Sequence, residues 1–194
     1  MSYTVLLVIV ALERLAELVV STRNANAMLA RGGREYGARH YPFMVALHMA
    51  LLVGCLVEVD IADRPFVPGL GWSMLVVVVA SQALRWWCVA TLGQQWNTRV
   101  IVSPSMPLVD GGPYRWLRHP NYVAVAAEGL ALPLVHTAWV TAALFTLANA
   151  VLLTVRIRVE NAALATAAPL TRESVPPVPS TSTGTPVSAD EQHG

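Results

Sequence analysis

Residues 72–92, WSMLVVVVASQALRWWCVATL, decide the fold class. The run carries one formal charge, Arg85, and at about 1.5 Å per residue a helix of this length spans roughly 30 Å, the thickness of a bilayer's hydrocarbon core. Further apolar runs lie at 2–20, 41–59, 122–135 and 138–155. The whole chain of 194 residues is 55% hydrophobic and only 13% charged, against roughly 25% charged in an ordinary soluble domain. An all-α, polytopic membrane protein with about five transmembrane helices is therefore expected. The fourth run is short, and Pro133, His136 and Thr137 mark its end, so the fourth and fifth runs are expected to form a tight helical hairpin.

The first run has no basic residues ahead of its apolar part and no small-residue cleavage site, and it contains Glu13, Arg14 and Glu17, so it is not read as a cleavable signal. All basic residues are arginine, and residues 21–39 hold Arg23, Arg31, Arg34 and Arg39, whereas the connection after the second run holds Asp60, Asp63 and only Arg64. The positive-inside bias then places the N-terminus outside. It places residues 111–122 and the segment around Arg156 and Arg158 on the cytoplasmic side. The connection 21–41 is expected to pack on that face, 60–71 to form external turns, and 94–106 to be interfacial or extended. Residues 1–165 form the membrane domain on this reading, and 166–194, rich in Pro, Ser and Thr, form a disordered tail.

Composition excludes several functions. Cys55 and Cys88 both sit in apolar runs and are assigned to packing. No Cys/His spacing suits a metal, and there is no phosphate-binding loop, dinucleotide fingerprint or nucleophile elbow. A net charge of +1, with its basic residues sorted by membrane side, gives no sign of nucleic-acid binding.

The chemistry concentrates in 111–122, GGPYRWLRHPNY, and in Arg156, Arg158 and Glu160 beyond the last run. Pro120 suits the first position of a helix, which makes His119 its cap and leaves free N–H groups that attract negative charge. Arg118 adds a fixed cation, and Gly111, Gly112 and Pro113 allow the backbone to bend toward a ligand. An Arg-rich juxtamembrane rim capped by proline has the same residue types without any site. Asn149, Arg156 and Glu160 fall on one helix face, where Arg156 and Glu160 are also spaced to pair with each other. Glu128 lies about 12 Å along the fourth helix from Pro120, at a depth where an acid is functional or paired. Arg85 is its candidate partner, unless it snorkels to the interface. His48 reads as a packed polar residue.

These segments resemble the isoprenylcysteine carboxyl methyltransferase family, through Gly112-Pro113-Tyr114, through Arg118-His119-Pro120 with Tyr122, and through Arg156, Arg158 and Glu160. The resemblance implies that Gly112, Pro113, Tyr114, Arg118, His119, Pro120, Tyr122, Arg156, Glu160 and Asn161 surround S-adenosylmethionine in a helical site. Two positions depart from the family pattern: Ala124 stands where a glycine is often found, and Asn161 replaces the second of two acids. Glu13-Arg14 with Glu17, Ser21-Thr22-Arg23-Asn24, Arg31-Gly32-Gly33, His40-Tyr41-Pro42 and Gln95-Trp96-Asn97-Thr98-Arg99 resemble the bacterial branch associated with type III polyketide synthases. That branch implies an O-methyltransferase of the bacterial plasma membrane acting on a long-chain alkylpyrone or alkylresorcinol. Arg85 and Glu128 would then contact the acceptor, with a polyketide synthase as functional partner. The competing readings are a phospholipid or prenylcysteine-type methyltransferase, an NADPH-dependent sterol-type reductase, and a membrane scaffold without enzymatic activity.

Overall fold

A computed structural model describes residues 3–103 and 109–173. Its elements in order are α1 (Tyr3–Ala30), β1 (Arg34–Tyr36), α2 (Tyr41–Ile61), α3 (Pro68–Leu92), β2 (Val100–Val102), α4 (Pro120–Leu134) and α5 (Trp139–Glu173). The architecture is all-α, as expected, with one two-stranded antiparallel ribbon in which Arg34 pairs with Val102 and Tyr36 with Val100. Residues 38–61, 68–95 and 139–165 are helical segments long and apolar enough to cross a membrane. The outer surfaces agree with lipid as solvent: Val76, Val79, Leu144, Leu147 and Val151 are all well exposed. In water such a belt would be a large apolar patch.

Two elements differ from the sequence expectation. α1 does not stop at residue 20 but continues to Ala30. Its buried positions Glu17, Ser21, Ala25 and Met28 keep helical spacing through the polar stretch. Ser21 Oγ hydrogen-bonds Thr98 at 2.8 Å, and Asn24 Nδ2 donates to the carbonyls of Trp96 and Gly93 at 2.6 and 3.1 Å. Segments some seventy residues away thus supply the partners that a polar loop would have taken from water. α5 likewise runs through Glu173, so the segment expected to be a tail starts within a helix; residues 174–194 lie outside the described residues, as do residues 104–106 of the 94–106 segment. The extended part of that segment is β2.

α4 is only 15 residues long, about 22 Å, shorter than the bilayer core. It is held as one arm of a hairpin with α5. A Cβ on Gly129 would run into the Phe145 ring, so the two helices approach closely there. The hairpin turns at residues 135–138, where the Ala138 N–H reaches the Pro133 carbonyl at 3.0 Å. Glu58 at the end of α2 accepts from the backbone N–H groups of Val140 and Thr141 at 3.1 and 2.7 Å, and pairs with Arg64 at 2.9 Å. A carboxylate there satisfies the orphan donors and the dipole of the α5 N-terminus. Tyr3, Leu7, Cys55, Val78, Leu132 and Phe145 form the shared core on this side of the bundle. The Tyr3 hydroxyl donates to the Leu132 carbonyl at 3.0 Å.

Candidate functional site

At the opposite end of the bundle α1, α3 and α5 finish and α2 and α4 begin. His119 stands at the N-cap of α4 with Pro120 in its first turn. Its ring stacks on Tyr122 with centroids 5.4 Å apart, and its Nδ1 lies 3.5 Å from a Glu160 oxygen. The Tyr122 hydroxyl donates to the other Glu160 oxygen. The contact with Glu160 holds the His119 imidazole above its usual pKa, against the opposing effects of partial burial and of Arg118. These side chains line a polar cavity of about 130 Å³, to which Tyr114, Asn97, Arg99 and Arg156 also contribute. Burial keeps the Tyr114 phenol neutral by pushing its pKa up.

A second, mostly apolar cavity of about 200 Å³ lies deeper in the bundle. Leu15, Leu18, Met44, Met49, Leu52 and Leu153 are among its walls. Leu15 is 58% and Met49 56% exposed, so the cavity opens sideways between α1 and α2, toward the surface that lipid would cover. Trp96, Asn121, Tyr122 and Arg156 line both cavities and form the partition between them. Arg156 is buried there: Nη2 donates to the Thr98 carbonyl at 2.8 Å, Nη1 approaches the Met44 sulfur at 3.1 Å, and the guanidinium lies over the Tyr122 ring at 5.6 Å. Trp96 Nε1, Asn121 Oδ1 and Arg156 Nε on this partition are buried and have no hydrogen-bond partner. Leaving such an atom unpaired costs roughly 1–3 kcal/mol. Three such atoms lie on this one wall.

Below the partition is a buried charge network. Arg85 Nη2 reaches Glu128 at 2.6 Å, and Arg14 reaches Glu128 at 2.9 Å and Glu17 at 2.7 Å. Arg14 also donates to Gln82 at 2.7 Å, and Gln82 and Trp86 both donate to Glu13. Two arginines and two glutamates from α1, α3 and α4 thereby neutralise one another. His48 Nδ1 lies 2.8 Å from the Met44 carbonyl, and the residue lines the apolar cavity.

The structure gathers Tyr114, His119, Tyr122, Arg156 and Glu160 around the polar cavity. Other residues expected at the cofactor do not line it. Gly112, at φ 54, lies against α3, where a Cβ would meet Thr91 Oγ1 at 2.5 Å; its freedom serves packing on a helix, not approach to a ligand. Pro113 and Pro120 are fully buried and shape the turn. Arg118 is exposed, and Asn161, also exposed, hydrogen-bonds His119 from outside. Of the two residues expected at an acceptor, Arg85 lines the apolar cavity whereas Glu128 lies behind it, with both carboxylate oxygens taken by arginines. Sequence reasoning assigned no site role to Trp96, Thr98, Asn121 or Arg14. Asn121 lies inside the 111–122 stretch, and Arg14, Trp96 and Thr98 stand in segments that carried the resemblance to the bacterial branch.

Residues 74–166, which include most of both cavities' α3, α4 and α5 walls, match the isoprenylcysteine carboxyl methyltransferase (ICMT) family. The chain is similar to YpbQ, an uncharacterized protein of Bacillus subtilis, at 38% identity over 163 residues, 84% of this chain and 96% of that one. An uncharacterized protein of Haemophilus influenzae is similar at 24% identity over 154 residues, 78% of this chain and 88% of the relative. With the family signature on the helices that build the site, and a relative aligned over nearly its full length, the chain belongs to the isoprenylcysteine carboxyl methyltransferase family of membrane methyltransferases.

Proposed function

We propose that this protein is an S-adenosylmethionine-dependent O-methyltransferase acting on a lipophilic acceptor, a long-chain alkylpyrone or alkylresorcinol, at the cytoplasmic face of the bacterial plasma membrane. One observation carries the reading: a polar cavity and an apolar cavity share a partition of Trp96, Asn121, Tyr122 and Arg156 that holds unpaired polar atoms. Methyl transfer between a polar donor and a greasy acceptor needs such adjoining compartments.

The residues of the polar cavity fit the donor. An amino-acid group carries one positive and one negative end, and Glu160 beside His119 and Arg156 offers a partner for each. Tyr114, Tyr122 and Trp96 offer ring surfaces for a flat base and for a cation. The donor, when bound, supplies a methyl group already activated on a sulfonium. The chain's own work is positioning and exclusion of water. The Arg156 guanidinium, fixed by Thr98, Met44 and the Tyr122 ring, stands at the partition as a positive charge beside an acceptor oxygen. A pyrone enol is acidic enough to be ionised near neutral pH, whereas a phenol, with a pKa near 10, gains from that cation. The alkyl chain leaves through the gap between α1 and α2. Arg85 faces the acceptor, and Glu128 acts as a positioning residue that holds Arg85 and Arg14. A functional link to a type III polyketide synthase, the source of such acceptors, belongs to the same reading.

The test is direct. Protein purified in detergent should bind S-adenosylmethionine and not NADPH by isothermal titration, and should transfer labelled methyl to an alkylpyrone or alkylresorcinol. Binding of NADPH alone, or of neither, overturns the reading. Methylation of phospholipid in place of the ring compounds replaces the acceptor while keeping the donor.

A further inference from the structure

The apolar cavity has a second polar end that the donor reading leaves unused. Asn149 is buried, lines this cavity, and its Oδ1 has no hydrogen-bond partner. Arg14, Glu17 and Arg85 line the same cavity. They pair with Glu128 and with one another, Arg85 Nε lying 3.4 Å from Glu17 Oε1, and Arg14 Nε is left without a hydrogen bond. An unused donor and an unused acceptor thus stand on residues that line an otherwise greasy chamber. Within the network two arginines face two glutamates, and a third acid, Glu13, stands at its partly exposed edge, reached through Gln82. A charged ligand group would meet the cost of an uncompensated buried charge. A neutral oxygen, able to donate and accept, would complete the bonds.

Asn149 precedes Arg156 by about two helical turns on α5, and both line the apolar cavity, so one helix presents a polar side chain at the partition and another deeper in the chamber.

We infer that Asn149, with Arg14, Glu17 and Arg85, recognises a second, uncharged oxygen on the acceptor, so that the cavity selects an acceptor bearing two oxygens over one with a single oxygen. The inference rests on the apolar cavity being the acceptor site. Asn149 becomes a specificity-determining residue remote from the transferred methyl. Asn149 and Arg85 lie within the span that matches the family, whereas Arg14 and Glu17 lie on α1 outside it.

The experiment compares pentadecylresorcinol with the corresponding pentadecylphenol, which lacks one hydroxyl, by equilibrium binding to the full-length protein in detergent without donor. Wild type should bind the diol about tenfold or more tightly than the phenol, the loss expected for one good hydrogen bond. Asn149→Leu should bring the two affinities within about threefold of each other. The same variant should melt at an equal or higher temperature than wild type, because it removes an unpaired buried amide from an apolar wall; a merely structural asparagine would lower the melting temperature instead. Glu17→Gln, close in shape, should also narrow the preference. Equal affinities in wild type, failure of both probes to bind a protein that binds S-adenosylmethionine, or an unchanged ratio in Asn149→Leu would each overturn the inference. Loss of S-adenosylmethionine binding in wild type would instead remove the methyltransferase reading itself, so the two failures are distinct.

Discussion

Two assemblies in this bundle are made of the same ingredients and are wired in opposite ways. In the buried network, Arg14 and Arg85 face Glu17 and Glu128 directly, cation on anion, across α1, α3 and α4. At the end of the bundle, Arg156 and Glu160 are spaced one helical turn apart on α5 and would be expected to pair. They do not. Tyr122 separates them: its hydroxyl goes to Glu160 and its ring lies under the Arg156 guanidinium, which is otherwise held by Thr98 and Met44. Charges that meet neutralise each other and tie helices together. Here Arg156 is held off Glu160 by a neutral ring, and Glu160 meets the Tyr122 hydroxyl and the His119 imidazole instead.

The sharpest way to break this contrast is to remove one acid from each assembly. Glu128→Leu leaves Arg14 and Arg85 without their common partner in the interior, a change that costs about 3–5 kcal/mol. The melting temperature in detergent should fall steeply, and folded yield with it. Glu160→Leu, at the partly exposed edge, should leave the melting temperature almost unchanged. If the Glu128 variant is as stable as wild type, the network is not what joins α1 to α3 and α4.

The second effect is smaller and falls on binding. Glu160→Leu and Tyr122→Phe should each weaken S-adenosylmethionine binding by about tenfold or more, equivalent to roughly 1.4 kcal/mol. Glu128→Gln, which retains shape and part of the hydrogen bonding, should leave donor affinity within about twofold while slowing acceptor turnover. Isothermal titration beside turnover assays separates the two assemblies. Equal donor-binding losses in the Glu128 and Glu160 variants would erase the distinction between them.

How much of this was readable in advance differs between the same two regions. The helix starts at Pro120 and Tyr41, the hairpin of α4 and α5, and the convergence of His119, Tyr122, Arg156 and Glu160 follow from local signals: proline at a first turn, apolar run length, and charges placed at the edge of lipid. The pairing of Arg85 with Glu128 was also open to inference, since two buried opposite charges seek each other. The role of Arg14 was not, because its neighbours Glu13 and Glu17 offered a complete local explanation, and its turn toward Glu128 is set by how α1 packs. The extension of α1 through Ala30 was obscured by Asn24, Asn26 and Arg23. The stripe of Ser21, Ala25 and Met28 kept the helical period, but its partners, Thr98 and the carbonyls of Gly93 and Trp96, lie about seventy residues away. Trp96 itself carried no cue beyond the resemblance of its segment, since a tryptophan near a span reads first as an interfacial anchor.

The smallest expected effect concerns His119, and it sharpens the comparison because the pair of His119 and Glu160 sits at the partly exposed end of the bundle, away from the buried network. The His119 imidazole is held above its ordinary value of 6.5 chiefly by its hydrogen bond to Glu160. A group whose folded-state pKa is raised stabilises the fold fully below its unfolded value and loses that contribution as pH climbs through the raised one. The melting-temperature gap between wild type and His119→Phe should therefore be widest at about pH 6 and shrink by about pH 9. The side chains of His119 and Glu160 are 17% and 30% exposed, so solvent screens the pair and the whole effect should stay near or below about 1 kcal/mol. Glu160→Gln in the His119→Phe background should then change nothing further with pH. A gap that is flat or widens toward high pH would mean that the imidazole meets Glu160 as a neutral ring, and that Arg156 alone supplies the cation at this end of the bundle.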